Sequence, residues 1–241
     1  MVIKMKSDSI LNTILKKYKQ NDLIYVSQLY KEEYINIISE YSYYKIIERL
    51  YKKQKITKVS KGIYTIPNIT KYGIIPVHTE DIVNKYISNQ GGAIIGYTLY
   101  NRLGITTQIS KNIIVYSSKT ENNVKKIKDV IIKKVDLIFT DNVKKMLEFL
   151  EVLQNFNNIE DIDLNQFISY TEKFIYEYDE KTLQTVLNKI KYKKNTLSFL
   201  HNILNFYNVE NNVSKYLSPL SEYKHFKMRD IYEVTRRQRS I

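Results

Sequence analysis

The sequence of 241 residues contains no cysteine, so neither disulfide bonds nor thiolate metal sites can form. It contains no apolar run as long as the roughly 18 residues that a transmembrane helix needs. The opening residues, MVIKMKSDSI, lack the apolar core and the small-residue cleavage site of a signal peptide. We therefore expect a cytoplasmic protein with no membrane partner. Its hydrophobic fraction of 43% and aromatic fraction of 12% exclude wholesale disorder.

The sequence also lacks a clear catalytic constellation. Its three histidines, His78, His201 and His225, lie far apart, and none has metal-ligand spacing to another. The glycines follow neither the Walker nor the dinucleotide-binding spacing, and no serine lies in a nucleophile elbow. We therefore expect a protein that is not an enzyme and that needs no cofactor and no metal.

One enzymatic alternative remains, a metal-dependent nuclease that uses Asp161, Asp163 or Glu180. The DID segment at 161–163 could bind a divalent ion, but its position before LNQF is typical of a helix cap. The DEK segment at 179–181 is similar to the carboxylate-plus-lysine layout of some nucleases, although no upstream aspartate on a predicted strand accompanies it.

The net charge of +13 is distributed unevenly along the chain. Residues 1–71 hold 14 Lys and Arg against 6 Asp and Glu, whereas residues 72–223 hold 18 against 17. Residues 224–241 hold 6 against 2. The positive charge therefore belongs to the first third of the chain and to its extreme C-terminus. Such asymmetry indicates a polyanionic partner for the first domain.

Helical spacing and turn signals predict the elements of this first domain. The predicted apolar face of the first helix consists of Leu11, Ile14, Leu15 and Tyr18. A short second helix, QLYKEEY, is expected after a cap at Ser27. The third helix is expected from about Ser39 to Lys53, and its predicted buried face consists of Tyr43, Ile46, Ile47 and Leu50. The runs KITKVS and GIYTIP, separated by Lys61 and Gly62, predict a hairpin.

Three helices followed by a hairpin is the order of a winged helix-turn-helix, in which the third helix can enter the major groove. Basic side chains can neutralise phosphates, Arg can bind guanine bidentately, and hydroxyls can contact phosphates or base edges. The predicted groove-facing residues are Tyr41, Ser42, Tyr44, Lys45 and Arg49, with Lys52 on the same face as Lys45 and Arg49. The predicted backbone contacts on the wing are Lys58, Ser60 and Lys61. The alternative is a solvated basic helix.

The remaining sequence predicts a second, α+β domain. Prolines cluster in residues 67–76, which places the domains at residues 1–70 and 71–205, followed by a basic C-terminal extension at 206–241. Strands are expected in GGAIIG, NIIVYSS and DVIIKKV, and the chain turns helical from Asp141 onward. The cluster of Arg236, Arg237 and Arg239 predicts a second phosphate contact or a partner-binding tail, and the alternative is a frayed basic terminus.

Two segments resemble AbiEi-type antitoxins. LYKKQKITKVSKGIYTIP resembles the end of the winged helix of that family, and GYTLYNRLGITTQIS resembles the signature of its second domain, with NIIVYSS as the strand that follows. The resemblance covers roughly residues 20–205. It implies an antitoxin of a type IV toxin–antitoxin system, related to phage abortive infection. Such an antitoxin binds inverted repeats of double-stranded DNA in its own promoter, represses the operon, and counters a nucleotidyltransferase-like toxin without a stable complex.

Composition and spacing by themselves support only the DNA-binding half of this function. The alternatives are a protein-interaction module and a DNA-binding regulator without antitoxin activity. We expect a monomer or a weak dimer, because two copies could occupy an inverted repeat either as a dimer or as cooperatively bound monomers.

Overall fold

A computed structural model describes residues 7–219 and 221–238 of the chain. The chain divides into two compact units, residues 1–85 and residues 86–241. Each unit combines helices with small sheets, so the protein belongs to the α+β class, as the sequence predicts.

The first unit contains the predicted helices and hairpin. Its helices are α1 (Ser7–Lys17), α2 (Val26–Leu29), which continues as a π-helical turn (Tyr30–Tyr34), α3 (Glu40–Lys52) and α4 (Thr79–Ile87), which crosses the unit boundary. Its strands are β1 (Ile24–Tyr25), β2 (Thr57–Ser60), β3 (Ile63–Thr65), β4 (Asn68–Thr70) and β5 (Gly73–Ile75). β3 is the central strand of a three-stranded sheet and pairs antiparallel with both β1 and β2.

Local signals set the two ends of α3. At its start, Ser39 Oγ accepts a hydrogen bond from the backbone N–H of Ser42 (3.3 Å), which satisfies a donor that the helix leaves unpaired. At its end, Gln54 adopts a positive φ of 54°. The N–H of Lys55 donates to the carbonyl of Leu50 (2.9 Å), a Schellman closure. The predicted buried face is confirmed: Tyr43, Ile46, Ile47 and Leu50 are all buried.

The hairpin after α3 is also confirmed. Its turn is formed by Lys61 and Gly62, and Gly62 has a φ of 72°, which residues with a Cβ rarely adopt. Ile63 is buried and Tyr64 is half-buried, so this strand joins the core of the unit.

Three details of the first unit differ from the predictions. α2 begins at Val26, directly after β1, so the residue before the helix is Tyr25 and the predicted cap at Ser27 is wrong. Leu15 is 51% exposed, because the core side of α1 consists of Ile10 and Ile14. The proline-containing segment predicted as a boundary forms the β4–β5 hairpin.

The second unit places helices around a four-stranded sheet. Its strands are β6 (Gly92–Ile95), β7 (Ile113–Ser117), β8 (Val124–Ile127) and β9 (Val130–Lys134), in the order β6-β7-β9-β8. β7 and β9 are parallel, and the other pairs are antiparallel. The helices are α5 (Tyr97–Arg102), α6 (Asp141–Asn155), α7 (Leu164–Ile175), α8 (Glu180–Leu187), α9 (Lys194–Phe206) and α10 (Met228–Gln238), with 3₁₀ turns at Phe156–Asn158 and Val213–Tyr216.

α10 lies within the segment predicted as a basic extension. Met228, Ile231 and Thr235 are spaced at helical intervals, and all three are buried, so this helix packs into the second unit. Arg236 and Arg237 lie in its last turn. Arg239, the third member of the predicted arginine cluster, lies outside the described residues.

Candidate nucleic-acid interface

The predicted DNA-contacting residues all lie on α3 and on the hairpin that follows it. Seven of them are plainly solvent-exposed: Tyr41, Ser42, Lys45, Arg49, Lys52, Lys58 and Lys61. Ser60 is half-buried. Tyr44 is only 37% exposed, against 74% for Tyr41. The structure therefore brings these residues together on one segment, with most of their polar groups available to a partner.

The spacing of the α3 residues defines the centre of the exposed face. Tyr41, Lys45, Glu48 and Lys52 follow one another at intervals of three or four residues, so they form a single line along the helix. Ser42 and Arg49 share one flank of that line. Lys45 Nζ lies 5.7 Å from the centroid of the Tyr41 ring, close enough for a cation–π contact.

Tyr44 lies on the opposite flank and is partly involved in packing. Its ring contacts the buried ring of Tyr43 edge-on, with centroids 5.5 Å apart. Burial raises the pKa of the Tyr44 hydroxyl, so this group stays protonated and can donate a hydrogen bond at neutral pH. Its packing leaves less of this side chain for a partner than the sequence predicts.

The hairpin is fixed against α3 by an aromatic contact. The ring of Tyr51 at the end of α3 meets that of Tyr64 on β3, with centroids 6.0 Å apart. The β2–β3 register shifts between Lys58 and Ser60, which marks an irregularity in the strand. Lys58 and Lys61 stay exposed on either side of it. The helix and the hairpin can thus present their charges to one partner.

Positive charge dominates the α3–hairpin segment. The exposed cations are Lys45, Arg49, Lys52, Lys53, Lys55, Lys58 and Lys61. Glu48 is the single acid between residues 41 and 67. Its Oε1 lies 2.9 Å from Lys52 Nζ and its Oε2 lies 3.5 Å from Lys45 Nζ. The Lys52 ammonium holds the pKa of the Glu48 carboxyl below its usual value. Within the part of the chain that the structure describes, the other five cations form no ion pair.

The three acids considered for a nuclease all make local hydrogen bonds, and Asp161 accepts one from the side-chain amide of Gln108. Asp163 is the N-cap of α7, because its Oδ1 accepts from the N–H groups of Asn165 (2.9 Å) and Gln166 (3.1 Å). Glu180 accepts from the Tyr178 hydroxyl (2.7 Å) and pairs with a lysine. Across residues 7–219 and 221–238, no group of three or more His, Asp and Glu side chains is placed to hold a metal ion.

The second unit contains a buried carboxylate that the sequence does not predict. Glu151 on α6 is only 4% exposed, and its Oε1 accepts hydrogen bonds from the hydroxyls of Tyr116 (3.2 Å) and Tyr192 (3.3 Å). Burial raises the pKa of the Glu151 carboxyl. The apolar run of α6 contains two acids, Glu148 and Glu151, and nothing in the sequence marks Glu151 as the one bound by tyrosines, which come from distant positions.

None of the described helices combines the length and the apolar character that crossing a membrane requires.

No curated protein matches the chain. Among solved structures, the crystal structure of the RV2827C protein from Mycobacterium tuberculosis is similar at 8% sequence identity and a TM-score of 0.43, over 83% of this chain and 76% of that one. The sequence profile of DUF6088, a family of unknown function, matches residues 10–191. The chain belongs to the DUF6088 family.

Proposed function

We propose that this protein is a sequence-specific DNA-binding protein and that α1–α3 with the β2–β3 hairpin act as a winged helix-turn-helix. The order of the elements supports the proposal, because a capped, amphipathic third helix leads directly into an antiparallel hairpin. In such a unit the third helix lies in the major groove, and the hairpin contacts the adjacent backbone.

The observation that carries the proposal is the row of exposed cations that runs from α3 through the hairpin with a single acid among them. Five of these cations form no ion pair with described residues, so their charge is available to an external anion. Lys and Arg that neutralise phosphates release condensed counterions, which makes binding strong at low salt. A polyanion with regularly spaced phosphates is therefore the partner that this surface fits best.

The test is fluorescence anisotropy with the full chain and two labelled duplexes across a series of salt concentrations. One duplex is the DNA upstream of the protein's own gene, and the other is a scrambled duplex of the same length. We expect a preference of about a thousandfold or more for the upstream DNA, with affinity that falls steeply as salt rises. Weak and equal binding to both duplexes would contradict the proposal.

Two variants separate backbone contacts from base contacts. Lys61→Ala should lower the salt slope by about one and weaken binding to both duplexes equally. Arg49→Ala should also relax sequence preference, at about 1–3 kcal/mol if Arg49 contacts a guanine. Lys173→Ala is the matched control, because Lys173 is an exposed lysine of the second unit that forms no ion pair with a described residue. It should leave binding unchanged.

We further propose that the protein is a cytoplasmic type IV antitoxin that represses its own promoter. What supports this step is the resemblance of the α3–hairpin segment and of GYTLYNRLGITTQIS to AbiEi-type antitoxins. The test is growth of cells that express a nucleotidyltransferase-like toxin encoded beside this gene, with and without this protein. The wild-type chain should restore growth. Arg49→Ala should restore growth as well but lose repression of a promoter reporter, because this substitution changes the DNA interface only. Failure of the wild-type chain to rescue growth would refute the antitoxin function and leave DNA binding intact.

A further inference from the structure

Glu48 occupies the centre of the proposed DNA-binding face, where a carboxylate is least expected. It lies on the same line along α3 as Tyr41, Lys45 and Lys52, and its side chain is 46% exposed. Its two oxygens are divided between two lysines, with Oε1 2.9 Å from Lys52 Nζ and Oε2 3.5 Å from Lys45 Nζ. Of the three cations on this helix face, Lys45, Arg49 and Lys52, two are therefore paired with one acid.

Fold stability does not explain this arrangement. The paired lysine side chains are 50% and 71% exposed, and ion pairs at such exposure contribute little to the stability of a helix. For a surface that only attracts phosphates, Glu48 is unfavourable, because it repels phosphates and competes with them for Lys45 and Lys52. To bind DNA favourably, the Glu48 carboxylate requires a hydrogen-bond donor on the DNA, which the phosphate backbone does not provide.

The major groove offers such a partner. The amino group of cytosine N4 is a donor that Glu and Asp accept from, whereas guanine presents only acceptors there. A glutamate carboxyl is ionised at neutral pH, and hence an acceptor, and in the free protein the Lys52 ammonium lowers the pKa of Glu48 further. Because Glu48 is on the outer line of α3, a helix lying in the groove would bring it to the base edges.

We propose that Glu48 is a specificity-determining residue that accepts a hydrogen bond from a cytosine amino group in the cognate DNA. On other sequences, Glu48 stays paired with Lys45 and Lys52 and weakens non-specific binding. On the cognate sequence, the Glu48 carboxylate accepts a hydrogen bond from the cytosine amino group, and both lysines become available to phosphates. This inference rests on the proposed function, because it requires α3 to lie in the major groove.

The experiment is selection of duplexes from a random-sequence library with the full chain, followed by affinity measurements on the selected duplex and on a scrambled one. The variants are Glu48→Ala and Glu48→Gln. The matched control is Glu40→Gln, which removes the same charge from the first turn of the same helix, away from the central line. Glu48 is exposed, so we expect all of these variants to fold, and circular dichroism verifies this.

The wild type should select a motif with a cytosine at one position. Glu48→Ala should lose that preference, by about five- to a hundredfold in discrimination, and should bind the scrambled duplex more tightly. Glu48→Gln should change the preferred base at that position to adenine, because Gln binds adenine N6 and N7 bidentately. Glu40→Gln should select the wild-type motif. A purely stabilising ion pair would not change the selected base.

Two results would overturn these ideas separately. If the wild type and both Glu48 variants select the same motif, DNA binding stands and the role of Glu48 is wrong. If the wild type selects no motif at all, the proposed sequence-specific function is itself wrong.

Discussion

Gly92 on β6 lies close to the backbone of two neighbouring segments, and replacing it with alanine should destabilise the protein strongly. A Cβ at this position would overlap the carbonyl oxygen of Tyr116 and lie 2.8 Å from that of Tyr86. Both atoms belong to the backbone, so relief requires β6 to move away from β7. Overpacking of this kind costs about 1–3 kcal/mol, occasionally more, and two backbone clashes place Gly92→Ala at about 3 kcal/mol.

The neighbouring Gly91→Ala is the control for this prediction. The three atoms nearest to its Cβ would be aliphatic carbons of the Lys119 side chain, which can rotate away at the loss of the hydrogen bond from Lys119 Nζ to Ser88 Oγ (2.9 Å). We expect this variant to lose less than about 1 kcal/mol. The assay is thermal unfolding followed by circular dichroism, in which each kcal/mol lowers Tm by about 2–4 °C in a domain of this size. Gly92→Ala should therefore melt about 6–12 °C below the wild type. Equal melting temperatures for the two variants would refute the steric argument.

Three further predictions concern single contacts. Ser39→Ala removes the cap that accepts from the Ser42 N–H, so it should lower the unfolding free energy by about 1 kcal/mol in urea titrations; no loss would mean that the cap is replaced by water. Gln54→Gly removes a side chain from a positive-φ position and should raise the unfolding free energy by about 0.5–1 kcal/mol in the same assay, and a decrease would contradict the closure described for α3. Burial raises the pKa of Glu151 in the folded state above its value of 4.5 in the unfolded chain. Between these two pKa values the folded state binds more protons than the unfolded state, so the unfolding free energy falls as pH rises from the unfolded to the folded pKa. Glu151→Gln should flatten this decline in unfolding free energy measured from pH 4 to 8, and an unchanged slope would rule out Glu151 as its source.

The parts of this fold that depend on short-range signals can be predicted from the sequence. The buried face of α3 follows from the spacing of four apolar residues, and its start follows from one serine. The turn between β2 and β3 follows from Gly62, whose positive φ only glycine adopts freely. The exposure of Lys45, Arg49 and Lys52 follows from the same helical spacing, because these cations occupy the positions of α3 that the apolar residues leave.

Elements that depend on distant partners are not visible in the sequence. β8 consists of Val124, Lys125, Lys126 and Ile127. Its two lysines make this segment look polar in the sequence, although it is the edge strand of the described sheet and pairs there with β9. α10 is not evident from the sequence, because its buried side is narrow and lies among charged residues. The pairing of Glu48 with two lysines at once, and the binding of Glu151 by two tyrosines, depend on side-chain positions that periodicity does not specify.

The pairing of β1 with β3 has a consequence for any attempt to shorten this protein. It joins Ile24 to Tyr64 and Tyr25 to Ile63, and so closes a loop of about 40 residues that contains the whole of α3. The position of the basic hairpin therefore depends on a strand that lies ahead of every predicted DNA contact. A fragment that starts after β1 would keep every cation of the α3–hairpin segment but lose the closure that orders them. We expect such a fragment to behave as a flexible polycation, which binds nucleic acids of any sequence with strong salt dependence and without preference.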